Sequence, residues 1–399
     1  MVVLVICGGG NGAHVLAGIA SSNPNADVRV LTLYADEAER WTKAMEGNDF
    51  VVTVNNQDKS QTILKNKPRL VTKDPALAAN KADMIVFTVP AFAHRQYLDA
   101  LKPHIRPGTV LVGLPGQSGF EFEVWTAWGD LAKQCSIMSF ESLPWACRFT
   151  EFGRAATVIG TKENLAGAAW YGSVPPKADP TLVLQGCLGP HPVLLTRGAL
   201  LGITLMATNG YIHPSILFGR WHKWDGNPVN EPPLFYNGLD EFSAQTMSSV
   251  SDEILAVASS LMKQRPQVDL TNVAHIWQWY LRVYADDIGD KTSLFTTIRT
   301  NAAYSGLTHP TTKTDDGKFV PDFKHRYLME DIPFGLLVSK GIAEVAGVPT
   351  PTIDSVISWA QQKMGKEYIV NGKLAGKDVS STRCPQRYGL TTVDAILGL

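Results

Sequence analysis

Gly8, Gly9, Gly10 and Gly12 in VVLVICGGGNGAH strip the side chains from a short piece of backbone near the start of the chain. A ligand can then come against the main chain, and phosphates use such places because the bare N–H groups bind them. A second reactive set lies far downstream. His213 stands directly before Pro214 in TNGYIHPSILFGRW, and Arg326, Glu330 and Asp331 gather in HRYLMEDIPFG. Histidine titrates near working pH and is the commonest general acid/base. A carboxylate from EDIP would orient its ring, and the planar guanidinium of Arg326 can grip a carboxylate in two places. Such a set suits polarising a ketone or imine while hydride reaches or leaves carbon. Helical conformation is disfavoured for a residue before proline, so His213 is expected at a break between helices. A salt bridge between helices is an equally good use of Arg326. The remaining histidines have weaker contexts, although His14 lies near enough to the glycines to touch phosphate.

The elements needed to hold the glycines can be read around them. Val2 to Cys7 is a β-branched run suited to a strand buried on both faces, and AHVLAGIASS is a small-residue helix. Gly8-x-Gly10-x-x-Ala13 between them fits the dinucleotide fingerprint, with Gly8 for the turn, Gly10 for pyrophosphate approach and Ala13 for helix packing. Asn11 and Gly12 open the helix whose free N–H groups meet the phosphates. A second strand, VRVLTLY, leads to Asp36, which lies 23 residues beyond Ala13, near the offset expected of the acid on the adenosine ribose. With Glu37 beside it, a 2′-phosphate would be repelled, so NAD(H) is the expected cofactor. The other use of these two acids is to begin the following helix.

ADMIVFTVP and GTVLVGLPG read as further parallel strands, which bring Pro90 to the cofactor and Gln117 to the substrate. After CSIMSF comes a loop, ESLPWACR, that crowds Glu141, Trp145, Cys147 and Arg148 and is a candidate for substrate contact. From about residue 196 the spacing turns helical. The fold expected is therefore α/β, a Rossmann-type doubly wound parallel sheet over residues 1–199, followed by an all-helical domain over residues 200–399.

Composition narrows the classes. The 399 residues are 45% hydrophobic and 18% charged, enough for two cores. Lys plus Arg is 36 against 37 for Asp plus Glu, a net charge of -1 that gives no field for nucleic acid or an anionic membrane. No signal-peptide pattern or membrane-length apolar run occurs, so the expected location is cytoplasmic. The five cysteines are scattered without zinc-ligand spacing, and no metal site is expected.

With these residues in view, the chain resembles the opine dehydrogenases, most closely the octopine dehydrogenases of marine molluscs. The resemblance is carried by GGGNGAH at 8–14, DMIVFTVPAFAH at 83–94, GLPGQSGFEF at 113–122, ESLPWACR at 141–148, TNGYIHP at 208–214 and RYLMEDIPFGL at 326–336. It implies that the amino group of L-arginine condenses with pyruvate and that NADH reduces the imine to D-octopine. It also implies His213 as general acid/base, Asp331 as its orienting partner and Arg326 as a carboxylate anchor. A guanidinium would further want a carboxylate and flat aromatic faces, which Glu141 with Trp145, or Trp277 and Trp279 in HIWQWY, could offer; core packing is the competing use of the tryptophans. Alternatives are an opine dehydrogenase for alanine, glycine or taurine, a 2-hydroxyacid or glycerol-3-phosphate type dehydrogenase, and a non-catalytic NADH sensor.

Overall fold

β1 (Val2–Cys7) is a run of apolar residues whose last four are fully buried, as befits a strand covered on both faces. In the computed structural model, which describes residues 1–56 and 58–399, the chain divides into two units, Met1–Ile203 and Thr204–Leu399. In the first, β1 is followed by α1 (Asn11–Ala20), β2 (Ala26–Leu31), α2 (Glu37–Met45), β3 (Val51–Asn55), β4 (Gln61–Lys65), β5 (Leu70–Thr72), α3 (Pro75–Ala79), β6 (Met84–Phe87) and α4 (His94–Leu101). Then come β7 (Val110–Gly113), α5 (Phe120–Trp128), β8 (Ser136–Phe140), β9 (Trp145–Glu151), β10 (Ala155–Thr161), β11 (Asn164–Trp170), α6 (Pro180–Leu188) and β12 (Val193–Thr196). α7 (Leu200–Leu205) runs across the boundary.

The main sheet has the order β12-β11-β8-β7-β6-β1-β2-β5 and is parallel except where β11 meets β8. The chain leaves β1 toward β2 on one side and returns to β6 on the other, so the carboxyl ends of β1 and β6 form the switch point where doubly wound sheets bind ligands. A second sheet, β4-β3-β10-β9, lies on the α1 face and was not legible in the sequence. Val52, Trp145, Cys147, Ala156 and Val158 from it join Ala13, Leu16 and Trp41 in one core, whereas Leu98, Phe120 and Trp128 fill the other face. ESLPWACR is accordingly a loop only over 141–144; from Trp145 it is strand β9, with alternate residues turned inward.

The second unit contains α8 (Asn209–Trp221), α9 (Glu241–Gln264), α10 (Ile276–Val283), α11 (Leu294–Arg299), α12 (Arg326–Met329), α13 (Leu337–Ala346), α14 (Pro351–Met364) and α15 (Val393–Leu397). Two hairpins, β13 (Thr311–Lys313) with β14 (Phe319–Pro321) and β15 (Ile369–Val370) with β16 (Lys373–Leu374), are added to the helices. The expected break at His213 is absent. Pro214 lies inside α8, and the interruption falls at 206–208, between α7 and α8. Proline removes one hydrogen bond near the start of the helix, a cost that burial of Tyr211, Ile212, Ile216 and Leu217 offsets.

Candidate active site

The glycine turn sits where β1 ends. Gly8 adopts φ +121°, and a Cβ there would meet Val89 at the end of β6. Ala13 is fully buried against the sheet, and a Cβ on Gly12 would press on Leu143 at 3.0 Å. Gly10 is different. It is exposed, its φ of -84° and ψ of -170° suit any residue, and a Cβ there would meet nothing within 4 Å. The protein's own packing therefore gives no reason for a glycine at 10. Asn11, Gly12 and Ala13 open α1, where N–H groups have no intrahelical acceptor and no acidic residue neutralises the helix end. The Asn11 side chain accepts at Oδ1 from Phe149 N at 3.0 Å, which ties the start of α1 to β9.

His14 is no phosphate ligand. It is fully buried, donates from Nδ1 to Gly10 O at 3.0 Å, accepts at Nε2 from Gly153 N at 2.9 Å, and stacks on Trp41 at 3.7 Å. Burial pushes its pKa down to about 4 from 6.5, so it is neutral in the fold. His309, which accepts from the Trp221 indole, is pushed down to about 3 for the same reason. Both protonate at 6.5 once unfolded, so their contribution is fully present above pH 6.5 and lost as pH falls through that value toward 4 and 3. The melting temperature should fall across this window. For His14 the displacement corresponds to about 3 kcal/mol. His14→Gln, which has no titrating ring, should flatten the fall in melting curves recorded from pH 7 to 4, and an unchanged slope would contradict this account.

Of the two acids after β2, Asp36 points to solvent, 67% exposed, and pairs with Arg40 at 2.9 Å. Glu37 turns inward. Its Oε2 accepts from Thr32 Oγ1 at 2.6 Å, and a Cβ on Gly9 would collide with its carboxylate. The sequence offset nominated Asp36, but the turn at Ala35, with φ +42°, rotates Asp36 out and brings Glu37 onto the glycines.

Pro90 is exposed at the end of β6, where Thr88 Oγ1 donates to Cys7 O at 2.8 Å and ties that loop to the glycine turn. Gln117, half-buried after β7, holds a left-handed φ of +59°, a conformation that non-glycine residues rarely take and that is common at functional sites. Glu141 is half-buried at the carboxyl end of β8 and accepts from Ala166 N at 3.3 Å. Trp145 and Cys147 do not belong with it. Strand alternation turns both into the apolar core, and burial pushes the Cys147 thiol up. Trp279 is also a core residue: HIWQWY is helical, so Trp277 and Trp279 leave on different sides, Trp277 donating to Thr297 Oγ1 at 3.0 Å and Trp279 packing edge-on to Tyr280. Among the described residues no cluster of His, Cys, Asp or Glu could hold a metal, and no helix is long and apolar enough to cross a membrane.

In the second unit, His213 Nδ1 lies 2.7 Å from Asp331 Oδ2 although 118 residues separate them. Two features of the backbone bring them together. α8 approaches the next segment so closely at Gly210 that a Cβ there would stand 2.8 Å from Gly335 Cα. That segment, Ile332–Leu336, is one π-helical stretch, in which Leu336 N donates to Asp331 O at 2.9 Å. Burial pushes the Asp331 carboxyl up while the His213 hydrogen bond opposes it. Tyr327 stacks on the imidazole at 3.8 Å, and the Tyr236 hydroxyl lies 2.8 Å from Nε2. Tyr236 carried no signal in the sequence, standing in PLFYNG far from both histidine and acid. Arg326, 63% exposed, pairs with the buried Glu330 at 2.7 Å along one helical turn. The ion pair is therefore within one segment and not between helices, and it leaves the guanidinium facing outward.

Comparison with known proteins decides the family. The chain is 61% identical over its full length, and over 100% of the relative, to the tauropine dehydrogenase of Arabella iricolor. It is 50% identical, over 99% of this chain and 98% of the relative, to the octopine dehydrogenase of Pecten maximus. The chain belongs to the opine dehydrogenase family. The family model for the NAD/NADP octopine/nopaline dehydrogenase α-helical domain matches residues 196–364 of this opine dehydrogenase. A solved octopine dehydrogenase structure, described with NADH and L-arginine, superposes with a TM-score of 0.96 at 49% identity, covering 100% of this chain and 98% of that one. The α/β unit and the helical unit are thus those of the family, and the enzyme is an oxidoreductase.

Proposed function

We propose that this opine dehydrogenase uses NAD(H) to condense pyruvate reductively with the amino group of a small zwitterion, taurine first among taurine, alanine and glycine, and runs the reverse oxidation. The observation that carries the reaction is the pairing of buried His213 with Asp331, an acid/base with its orienting carboxylate. The outward guanidinium of Arg326 is the anchor for the pyruvate carboxylate. Gly8, Gly10, Asn11, Gly12 and Ala13 hold the cofactor phosphates, with Pro90 beside them, and Gln117 borders the substrate. NADH supplies the hydride that reduces the imine. The amine assignment is supported by the 61% identity to a tauropine dehydrogenase and by the burial of Trp145 and Trp279 in core, which removes two of the side chains expected around a guanidinium.

A second reading, L-arginine with D-octopine as product, is supported by the 50% identity to octopine dehydrogenases and by Glu141 at the carboxyl end of β8. NADH oxidation with pyruvate and a panel of taurine, alanine, glycine and arginine separates the two. Turnover with taurine at least about tenfold above arginine is expected, a gap of about 1.4 kcal/mol. The opposite order would establish the octopine reading, turnover without any amine would mean a 2-hydroxyacid dehydrogenase, and NADH binding without turnover would mean a sensor.

The position of Glu37 over Gly9 supports giving it the adenosine ribose in place of Asp36. A 2′-phosphate would meet that carboxylate, so NADH is preferred to NADPH. Glu37→Ala should narrow the NADH/NADPH ratio of kcat/KM by about tenfold or more, whereas Asp36→Ala should leave it within about twofold. The reverse pattern would return the role to Asp36.

A further inference from the structure

Both nitrogens of the catalytic imidazole are occupied. A carboxylate only accepts, so in neutral His213 the ring proton sits on Nδ1 toward Asp331, and Nε2 accepts from the Tyr236 hydroxyl at 2.8 Å. Neither ring is free to turn aside. His213 is 6% exposed and carries Tyr327 against its face at 3.8 Å and an 18° angle. Tyr236, 7% exposed, is stacked on Tyr304 at 3.9 Å and meets Phe235 edge-on at 4.8 Å. Asp331 fixes one end of the imidazole and a clamped phenol caps the other.

We propose that Tyr236 is the proton relay of His213, standing between Nε2 and the carbonyl oxygen of the 2-oxo acid. This rests on the reading of His213 as the general acid. In the addition step the amine nitrogen forms its bond to the carbonyl carbon and the carbonyl π pair moves onto oxygen. That oxygen takes the phenolic proton, the phenolic oxygen takes the proton from Nε2 of the imidazolium, and the N–H pair returns to the ring. Tyr236 begins and ends neutral. Burial pushes its phenol up, which disfavours a phenolate and makes the two transfers move together. The added nitrogen, cationic after bond formation, gives up a proton through the same hydroxyl to Nε2, which restores the imidazolium; when the nitrogen lone pair then expels the carbinolamine oxygen, the hydroxyl passes that proton on and the oxygen leaves as water.

The test compares His213→Ala, Tyr236→Phe and a trifluorotyrosine placed at position 236, each assayed for kcat, for KM of pyruvate, for NADH affinity and for melting temperature. Phenylalanine keeps the stacking on Tyr304 but leaves a gap between Nε2 and substrate. Its kcat is expected to fall about 100-fold, with KM for pyruvate and NADH affinity within about threefold of wild type. Trifluorotyrosine keeps the shape and makes the phenol more acidic, so kcat should move by about threefold or more at unchanged melting temperature. A Tyr236→Phe enzyme within about threefold of wild-type kcat would mean that substrate displaces the hydroxyl and meets Nε2 directly, which overturns the relay. So would an unaltered kcat in the fluorinated enzyme, which decides the matter even where Tyr236→Phe folds poorly. Full activity in His213→Ala sinks instead the reading of His213 as the acid, so the two failures are told apart.

Discussion

His213→Ala is expected to lower kcat by about 10²- to 10⁴-fold, the range of a positioned general acid/base, while NADH still binds. The histidine and Asp331 lie in the second unit and the glycine turn in the first, so removal of the imidazole leaves the backbone of that turn intact. The substitution also removes a partner from the half-buried Asp331 carboxylate and strands the buried Tyr236 phenol, and an unsatisfied buried group costs about 1 to 3 kcal/mol. Activity is therefore read well below the melting temperature, with NADH affinity measured on the same preparation. Asp331→Asn keeps nearly the same shape but removes the charge that faces Nδ1–H and that stabilises the imidazolium. It should lower kcat by about tenfold or more without changing NADH affinity. Near-normal turnover in His213→Ala would remove the pair from the mechanism, and near-normal turnover in Asp331→Asn alone would reduce the carboxylate to a packing role.

Gly10→Val should cost this enzyme NADH binding by about 100-fold or more, near 3 kcal/mol, with little change in melting temperature. The position makes the test sharp. Its backbone angles are open to any residue and nothing of the protein stands within 4 Å of the new Cβ, so the only object left to collide is the ligand. The same change at Gly8 would be uninformative, because φ +121° and the nearby Val89 make any side chain there a folding defect. A folded Gly10→Val protein that binds NADH within about twofold of wild type would move the pyrophosphate elsewhere.

Much of the first unit is local in origin and was readable from the sequence. A buried β-branched strand, a glycine turn and a small-residue helix are written in consecutive residues, and the order of such elements dictates a parallel sheet with its ligand edge at the carboxyl ends of the strands. Candidate chemical groups could be named as well, since few residue types can move a proton or grip a carboxylate: His213 and Arg326 stood out on type and neighbourhood, and the family resemblance singled out Asp331 from the EDIP segment. What the sequence could not carry was direction. Whether a side chain points to core or ligand depends on strand parity and helical phase. β9 begins at Trp145, so Trp145 and Cys147 turn inward, and α10 sends Trp279 into the core.

The same limit decided the acids after β2, where two adjacent carboxylates are equivalent in sequence and a single turn at Ala35 gives Glu37 to the glycines and Asp36 to water. It decided the helix at Pro214 as well, because local preference against the residue before proline is worth less than the burial of one face of α8. The sequence by itself determined the class of fold, the glycine turn between β1 and α1 and the kinds of group available for acid/base work. Only the tertiary structure decided their partners. The Gly210–Gly335 approach and the π-helical turn set Asp331 against His213 across 118 residues, and they leave Nε2 to Tyr236. Hydrogen bonds reach about 3 Å and carry no memory of separation along the chain, so pairings of this kind exist only once the helices have packed.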